Sequence, residues 1–314
     1  MKTKRVTLSE VLVVIFVVLL LIGVLIPGLY RSRQTAIRLL CQTNLEGIGR
    51  AMTAFASDNA GSYPHAGGEG SNWSPDGVID VWNAPTEAAA FSITYDENGQ
   101  VSVPGSATIT SSFYLLVKHS MATPKQFVCK GDVGASEWKF AFYEGAVMAG
   151  MDMTRCWDFG AGGRQAGTGR SGPFMPYPGE VVSYSYHMPY SQSGSFQTFV
   201  LTDLSNPASP VCADRNPYLD KNAPDPPGDP NGIRSHNSAS HLGWGQNVLY
   251  KDGHVKFETT PIVGLAGDNI YTYRNTPEED ASLGTGPLDD GDPLAYPLDE
   301  TDALLLGERN GRTR

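Results

Sequence analysis

The 314-residue chain carries 23 Lys and Arg against 33 Asp and Glu, a formal net charge of -10, and 40% hydrophobic residues that include 14 Tyr and 12 Phe. That apolar fraction is enough for a packed core and excludes an intrinsically disordered chain. The acidic balance excludes a nucleic-acid-binding surface, which has to meet phosphate with Lys and Arg. With 35 Gly and 22 Pro, turns and loops are expected to dominate everywhere except near the N-terminus.

Residues 1–5 form a basic leader, with Lys2, Lys4 and Arg5. Residues 6–60 read as one helix. Val11 to Ile26 contains no polar side chain, and with Thr7, Leu8, Ser9 and Leu29 the stretch reaches the roughly 20 residues that a bilayer span needs. Arg31, Arg33 and Arg38 follow it, so flanking charge alone does not orient the segment. A cleaved secretory signal would end in a small-x-small site, whereas here Pro27-Gly28-Leu29-Tyr30-Arg31 follows and the helical pattern resumes. Ile37, Cys41, Leu45, Ile48, Met52 and Phe55 recur at three- and four-residue steps, an apolar stripe on one helical face. Asn59-Ala60-Gly61 and then Pro64 supply the stop. Glu10 is a carboxylate at the edge of the apolar run: it either sits at the headgroup level or needs a counter-charge within the bilayer.

Residues 61–275 read as an α+β head in which short apolar runs alternate with Gly, Pro, Ser and Asn clusters. Phe113–Lys118 and Phe140–Tyr143 fit helix or strand equally. Val181–His187, Thr198–Thr202 and Val211–Asp214 are expected to be strands from their β-branched and aromatic content. Asn247–Tyr250 and Val255–Phe257 flank Asp252-Gly253, the dipeptide of a type I′ hairpin turn with positive φ at both central positions. The glycine-rich Gly160–Gly172 lacks the Gly-Lys-Ser/Thr ending of a phosphate loop and is expected to be flexible, and Asn216–Asn231 is a further loop. Residues 276–314 form an acidic, mostly irregular tail apart from Leu304-Leu305-Leu306.

His236, His241, Asp252 and His254 lie close together in sequence, with Asp214 upstream. They admit two readings: a structural one, with Asp252-Gly253 making the turn and His241 bonding a loop to the hairpin, and a divalent-metal site of imidazole and carboxylate ligands. Calcium is the alternative cation, with Asp289-Asp290-Gly291-Asp292 as a second acidic run, though neither set follows the Asp-x-Asp-x-Asp-Gly calcium loop. Cys41, Cys129, Cys156 and Cys212 contain no C-x-x-C pair, which argues against a zinc ribbon or a redox motif. Outside the cytoplasm they are disulfide candidates, with three connectivities open for two bridges. No nucleophile elbow and no His-Glu-x-x-His zinc motif occurs, so no enzyme is expected.

The segment Lys4-Arg5-Val6-Thr7-Leu8-Ser9-Glu10 resembles the prepilin signature, a basic leader followed by Phe-Thr-Leu-x-Glu and an apolar helix. Val6 stands where that family has Phe, and Arg5 where it has Gly or Ala. Cys41-Gln42-Thr43-Asn44-Leu45-Glu46-Gly47-Ile48-Gly49 is similar to the C-x-x-N-L-x-x-I-G stretch of a pseudopilin-like family abundant in planctomycete bacteria. His241 to Asp252-Gly253 resembles the His…Asp-Gly motif that ends many of those proteins, here with ten intervening residues instead of about nine. The resemblance implies a pilin-like α+β fold, in which one long transmembrane and stem helix packs on an antiparallel sheet head with long loops. It implies cleavage by a prepilin peptidase between Arg5 and Val6, methylation of the new amine, and a Glu10 that pairs with a neighbouring subunit's amine during assembly. Such a chain would be a single-pass protein of the bacterial inner membrane, its head on the periplasmic or outer side. Its partners would be lipid and other pseudopilins or an inner-membrane secretion platform of type II secretion or type IV pilus kind. The competing expectation is a surface-displayed module that binds a ligand or polysaccharide and uses the anchor only for delivery, with Trp73, Trp82, Trp157 and Trp244 as its aromatic residues.

Overall fold

The computed structural model describes residues 7–68, 70–74, 84–139, 153–160, 178–190, 200–219, 236–286 and 295–307. Helix α1 runs unbroken over Leu8–Asp58, 51 residues, or about 77 Å at ~1.5 Å per residue. It starts at Thr7 with a reciprocal capping box: the Glu10 backbone N–H donates to Thr7 Oγ1 (3.4 Å) and the Thr7 backbone N–H donates to Glu10 Oε2 (2.8 Å). Pro27 lies inside the helix without ending it. The chain leaves the helix through Ala60 (φ 52°) and Gly61 (φ 81°), whose N–H donates back to the Ala56 carbonyl at 2.8 Å.

The two halves of α1 live in different surroundings. Every apolar side chain from Leu8 to Tyr30 is exposed, and the most apolar 18-residue window has a mean hydropathy of 3.2 with none of it buried. By length and composition the segment is able to cross a membrane. From Cys41 the expected stripe turns inward: Cys41, Leu45, Ile48, Met52 and Phe55 are buried, and Ile37 is partly buried against them.

The head is mixed helix and sheet. In chain order come β1 (Asn72–Trp73), α2 (Glu87–Phe91), β2 (Thr94–Tyr95), β3 (Val101–Val103), β4 (Ser106–Ala107) and α3 (Ile109–Lys118). β1 pairs in parallel with β4, and β2–β3 is a small antiparallel hairpin. α3 settles the ambiguity at Phe113–Lys118: Thr108 and Ser111 cap its start reciprocally, and its apolar residues are buried. The main sheet is built from β5 (Tyr184–His187), β6 (Pro210–Asp214), β7 (Gln246–Tyr250), β8 (Val255–Glu258) and β9 (Leu305–Leu306), in the order β8-β7-β6-β5-β9 with every pairing antiparallel. One face of this sheet packs on the second half of α1. The approach is tight at Gly49, where a Cβ would lie 2.9 Å from Leu249 Cδ1.

Several expectations need correction. The strand predicted at Val181–His187 begins only at Tyr184, because Pro178–Val181 forms a helical turn. Of the strand expected at Thr198–Thr202, residues 198 and 199 lie outside the described residues, and among residues 200–202 only Thr202 is paired, in an isolated bridge to Ser62. In the tail from 276, the expected exception Leu304-Leu305-Leu306 is buried with Ala303, and Leu305–Leu306 supplies an edge strand of the main sheet. The apolar cluster is drawn in because Leu305–Leu306 pairs with β5 in the same sheet and its side chains are buried. The β7–β8 hairpin forms as expected, but not with a type I′ turn. The Gly253 N–H donates to the Tyr250 carbonyl (2.9 Å) and the Tyr250 N–H to the His254 carbonyl (3.0 Å), so the loop has three residues, Lys251-Asp252-Gly253. Only Gly253 is left-handed, with φ 88°, the arrangement of a type I turn closed by a glycine bulge. Phe140–Tyr143, residues 161–172 of the glycine-rich loop, residues 220–231, and Asp289-Asp290-Gly291-Asp292 lie outside the described residues.

Candidate functional site at the junction of helix and sheet

Four polar side chains that are distant in sequence meet where α1 crosses the sheet. Cys41 faces inward from α1 and is disulfide-bonded to Cys129, with Cα atoms 5.2 Å apart, inside the range a bridge requires. The Cys129 loop is folded tightly. The Gly131 N–H donates to Cys129 Sγ at 3.3 Å, and a Cβ on Gly131 would stand 1.9 Å from the Ser240 carbonyl oxygen. Only glycine allows the loop that close to the short turn Ala239–His241.

That turn delivers His241. Its Nε2 lies 3.7 Å from Cys129 Sγ, 3.1 Å from Asp214 Oδ2 at the end of β6, and 3.1 Å from Asn247 Nδ2 on β7. The side chains of His241 and Asp214 are 1% and 0% exposed, so solvent does not satisfy them. Asp214 Oδ2 is held by the Asn247 backbone N–H at 2.6 Å and the Asn247 amide at 3.2 Å. An Nε2–H that donates to Asp214 leaves Nδ1 as a bare acceptor; His241 Nδ1 and Asp214 Oδ1 are both buried without a hydrogen-bond partner. Taken together, one sulfur of each cysteine, one imidazole nitrogen and one carboxylate oxygen lie within 4.8 Å of one another, a donor set that suits a metal ion.

The geometry excludes a catalytic triad. Cysteine and carboxylate converge on the same imidazole nitrogen, whereas a triad needs the acid on one nitrogen and the nucleophile on the other. All four residues of the cluster are buried.

Other contacts tie the same junction together. Asn44 Nδ2 donates to the Val128 carbonyl at 3.1 Å, and Tyr184 Oη donates to the Cys41 carbonyl at 3.4 Å. The Arg38 guanidinium lies 4.3 Å from the Phe257 ring centroid and 5.0 Å from that of Trp244, and Phe257 meets His241 edge-on. Next to the cluster, Arg215 pairs with Asp132 at 3.0 Å and also donates to the Gly179 and Val182 carbonyls.

The residues singled out from sequence are distributed as follows. His241 is at the heart of the cluster, and Asp214, noted only as an upstream neighbour, is its partner. Asp252 and His254 are not with them. They occupy the exposed turn at the other end of β7 and pair at 2.5 Å, and the His254 backbone N–H, donating to Asp252, holds that carboxyl below the usual range. His236 is elsewhere too, half-buried beside the Tyr218 ring at 5.8 Å. Of the four cysteines Cys41 and Cys129 are bridged, while Cys156 and Cys212 are buried. Glu10 closes its own helix cap; Arg5 and Val6 lie outside the described residues. Among the tryptophans, Trp73 is buried, Trp157 is half-buried with its Nε1–H on the Ala84 carbonyl at 2.9 Å, Trp244 is exposed, and Trp82 is outside the described residues. Asn247 and Gly131 were missed from sequence, although a glycine two residues after a cysteine is the pattern of a tight N–H···S turn.

No protein-family model matches the chain, and neither a curated protein nor a solved structure shows significant similarity to it.

Proposed function

We propose that this chain is a membrane-anchored, pilin-like structural subunit of a type II secretion or type IV pilus-like assembly. The observation that carries the reading is the division of α1, in which Val11–Ile26 is apolar and exposed, while the second half of the helix is built into the sheet and disulfide-bonded to the head. An isolated helix with that much exposed apolar surface needs lipid or other helices around it. A continuous rigid connection from that segment to the head would transmit its position in a bundle directly to the outer face of an assembly. In this reading the leader precedes the inner membrane, the segment from Leu8 spans it, and the head lies on the periplasmic or outer side.

Glu10 acts at the start of the span. In the single chain its carboxylate is satisfied by Thr7, through the backbone N–H at 2.8 Å and the hydroxyl at 2.9 Å. Cleavage before Val6 would bring a new amine to within one residue of that cap, so a neighbouring subunit's amine would compete for a carboxylate already held in place. The test is in-membrane crosslinking of Glu10→Ala beside the parent protein, together with mass spectrometry of the mature N-terminus. Insertion is expected to be unchanged and crosslinked oligomers reduced at least fivefold, with Val6 found as the methylated first residue. Equal crosslinking yield from Glu10→Ala, or a head protected from protease in intact spheroplasts, would overturn the reading. The alternative of a polysaccharide-binding surface has less support, because Trp73 and Trp157 serve the core instead of a platform.

A further inference from the structure

We infer that Cys41, Cys129, His241 and Asp214 form a zinc-class metal site that replaces the disulfide when the bridge is reduced. This rests on the buried cluster alone and stands or falls independently of the anchoring role.

The donor atoms are those that a borderline-soft, four-coordinate ion selects: two thiolate sulfurs, one imidazole nitrogen and one carboxylate oxygen. They come from α1, the Cys129 loop, the turn before β7 and the end of β6, so they approach a common point from different directions. Neighbouring ligands of a tetrahedral zinc ion stand about 3–4 Å apart, given bonds of about 2.0–2.3 Å. Two edges of that tetrahedron already exist, His241 Nε2 to Asp214 Oδ2 at 3.1 Å and His241 Nε2 to Cys129 Sγ at 3.7 Å. The remaining donor pairs lie within 4.8 Å, and the bonded sulfurs have to separate, which side-chain rotation permits with Cα atoms 5.2 Å apart.

Two of the four ligands, Cys129 and Asp214, have supporting donors of the kind a bound ion requires, whereas His241 Nδ1, which would carry the ring proton, is buried without a partner. The Gly131 N–H points at Cys129 Sγ (3.3 Å), where it would stabilise thiolate charge. The Asn247 backbone and side-chain N–H groups fix Asp214 Oδ2 (2.6 and 3.2 Å). Asp214 Oδ1 is buried and unpartnered, an acceptor with no occupant in the disulfide state. The structural alternative, a polar network around a permanent bridge, accounts for the hydrogen bonds but leaves that oxygen unexplained, whereas a carboxylate that chelates the ion through both oxygens would fill it.

The chemistry balances in two steps. A dithiol, or in vitro a phosphine, supplies two electrons, and with two protons the S–S bond becomes two thiols. The divalent ion then displaces both thiol protons to solvent and takes four ligands. Reoxidation by a disulfide donor releases the ion and restores the S–S bond. The stem of α1 would therefore stay clamped to the head in either redox state.

The experiment uses the full chain in detergent, reduced with phosphine and desalted anaerobically, with Co2+ as the spectroscopic probe and Zn2+ as competitor. One Co2+ per chain is expected, with thiolate-to-cobalt charge-transfer absorption and the intense visible bands of tetrahedral coordination, displaced by one equivalent of Zn2+. The oxidised protein should bind none. Cys129→Ser and His241→Gln should abolish the spectrum, Asn247→Ala should weaken binding about 10- to 100-fold, and the double variant Cys156→Ser/Cys212→Ser should retain it. The inference is overturned by a reduced, folded protein that takes up no stoichiometric metal, by binding indifferent to Cys129→Ser and His241→Gln, or by reduction that unfolds the head without rescue by Zn2+.

Discussion

Replacing Cys41 and Cys129 together by alanine removes the disulfide that ties α1 to the Cys129 loop, and its cost follows from the chain between them. The bridge spans a sequence separation of 88. On the chain-entropy relation, closing a loop of that length removes about 15 cal/mol/K from the unfolded state, or about 4.6 kcal/mol at 25 °C. Domains have a typical stability of about 5–15 kcal/mol, so this is a large share. Both sulfurs are buried, and the truncations add some lost packing, which puts the expected loss at about 4–6 kcal/mol. The assay is urea unfolding of the full chain in detergent, followed by tryptophan fluorescence, with chelator present throughout so that no metal takes the place of the bridge. Phosphine-treated parent protein should lose a similar amount. A Cys156→Ala/Cys212→Ala variant should retain its full sensitivity to phosphine, because the bridge broken by reduction joins Cys41 to Cys129. A double variant within about 1 kcal/mol of the parent would refute the reasoning, since it would mean that the contacts of the buried half of α1 already hold the unfolded ensemble or the native junction together without the bond.

Three further outcomes follow from the same contacts. Gly131→Ala should destabilise by about 3 kcal/mol or more in urea titrations, because its Cβ would stand 1.9 Å from the Ser240 carbonyl oxygen and push the Cys129 loop off His241; a neutral effect would mean that this loop does not make the close approach. Gly253→Val should cost about 1–2 kcal/mol from left-handed backbone strain, whereas Gly253→Asn should be nearly neutral, because φ is 88° and no atom lies within 4 Å of the Cβ position; equal costs for both would contradict the turn. Burial pushes Asp158 up to about 7 and Asp268 up to about 8, so the folded state holds protons that the unfolded state has released; that contribution is fully present below about pH 4 and is lost as the pH rises towards 8. Asp158→Asn and Asp268→Asn should therefore each gain stability relative to the parent between pH 5 and pH 8, read as the difference in urea midpoint, and parallel pH profiles would overturn the assignment.

The long helix was legible because its two signals are local: an unbroken apolar run followed by a stripe of period 3.6. The same holds for the β7–β8 hairpin, marked by Asp252-Gly253. Its turn type was not legible, because Asp252 has a second use for its carboxylate: it accepts the His254 N–H at 3.1 Å, a bond within the turn. The site was half legible. His241, Asp214 and both bridging cysteines stood out by residue type, yet His241 was grouped with Asp252 and His254, its neighbours in sequence. An intervening strand defeats that grouping, since the five residues of β7 carry the chain about 16 Å at ~3.3 Å per residue. Strand alternation is the better guide. On β7, Leu249 joins the core under α1 while Val248 and Tyr250 join the core on the other face; on β6, Cys212 joins the first and Ala213 the second. Carried two residues along each strand, that parity puts Asn247 and Asp214 on the face turned towards α1, level with Cys41. A period of two on β6 and β7, combined with the helical stripe, thus places the carboxylate and its amide partner beside the cysteine of the stem. What no periodicity supplies is the fold of the Cys129 loop, because the approach of Gly131 to Ser240 is decided by a steric vacancy and not by a pattern of polarity.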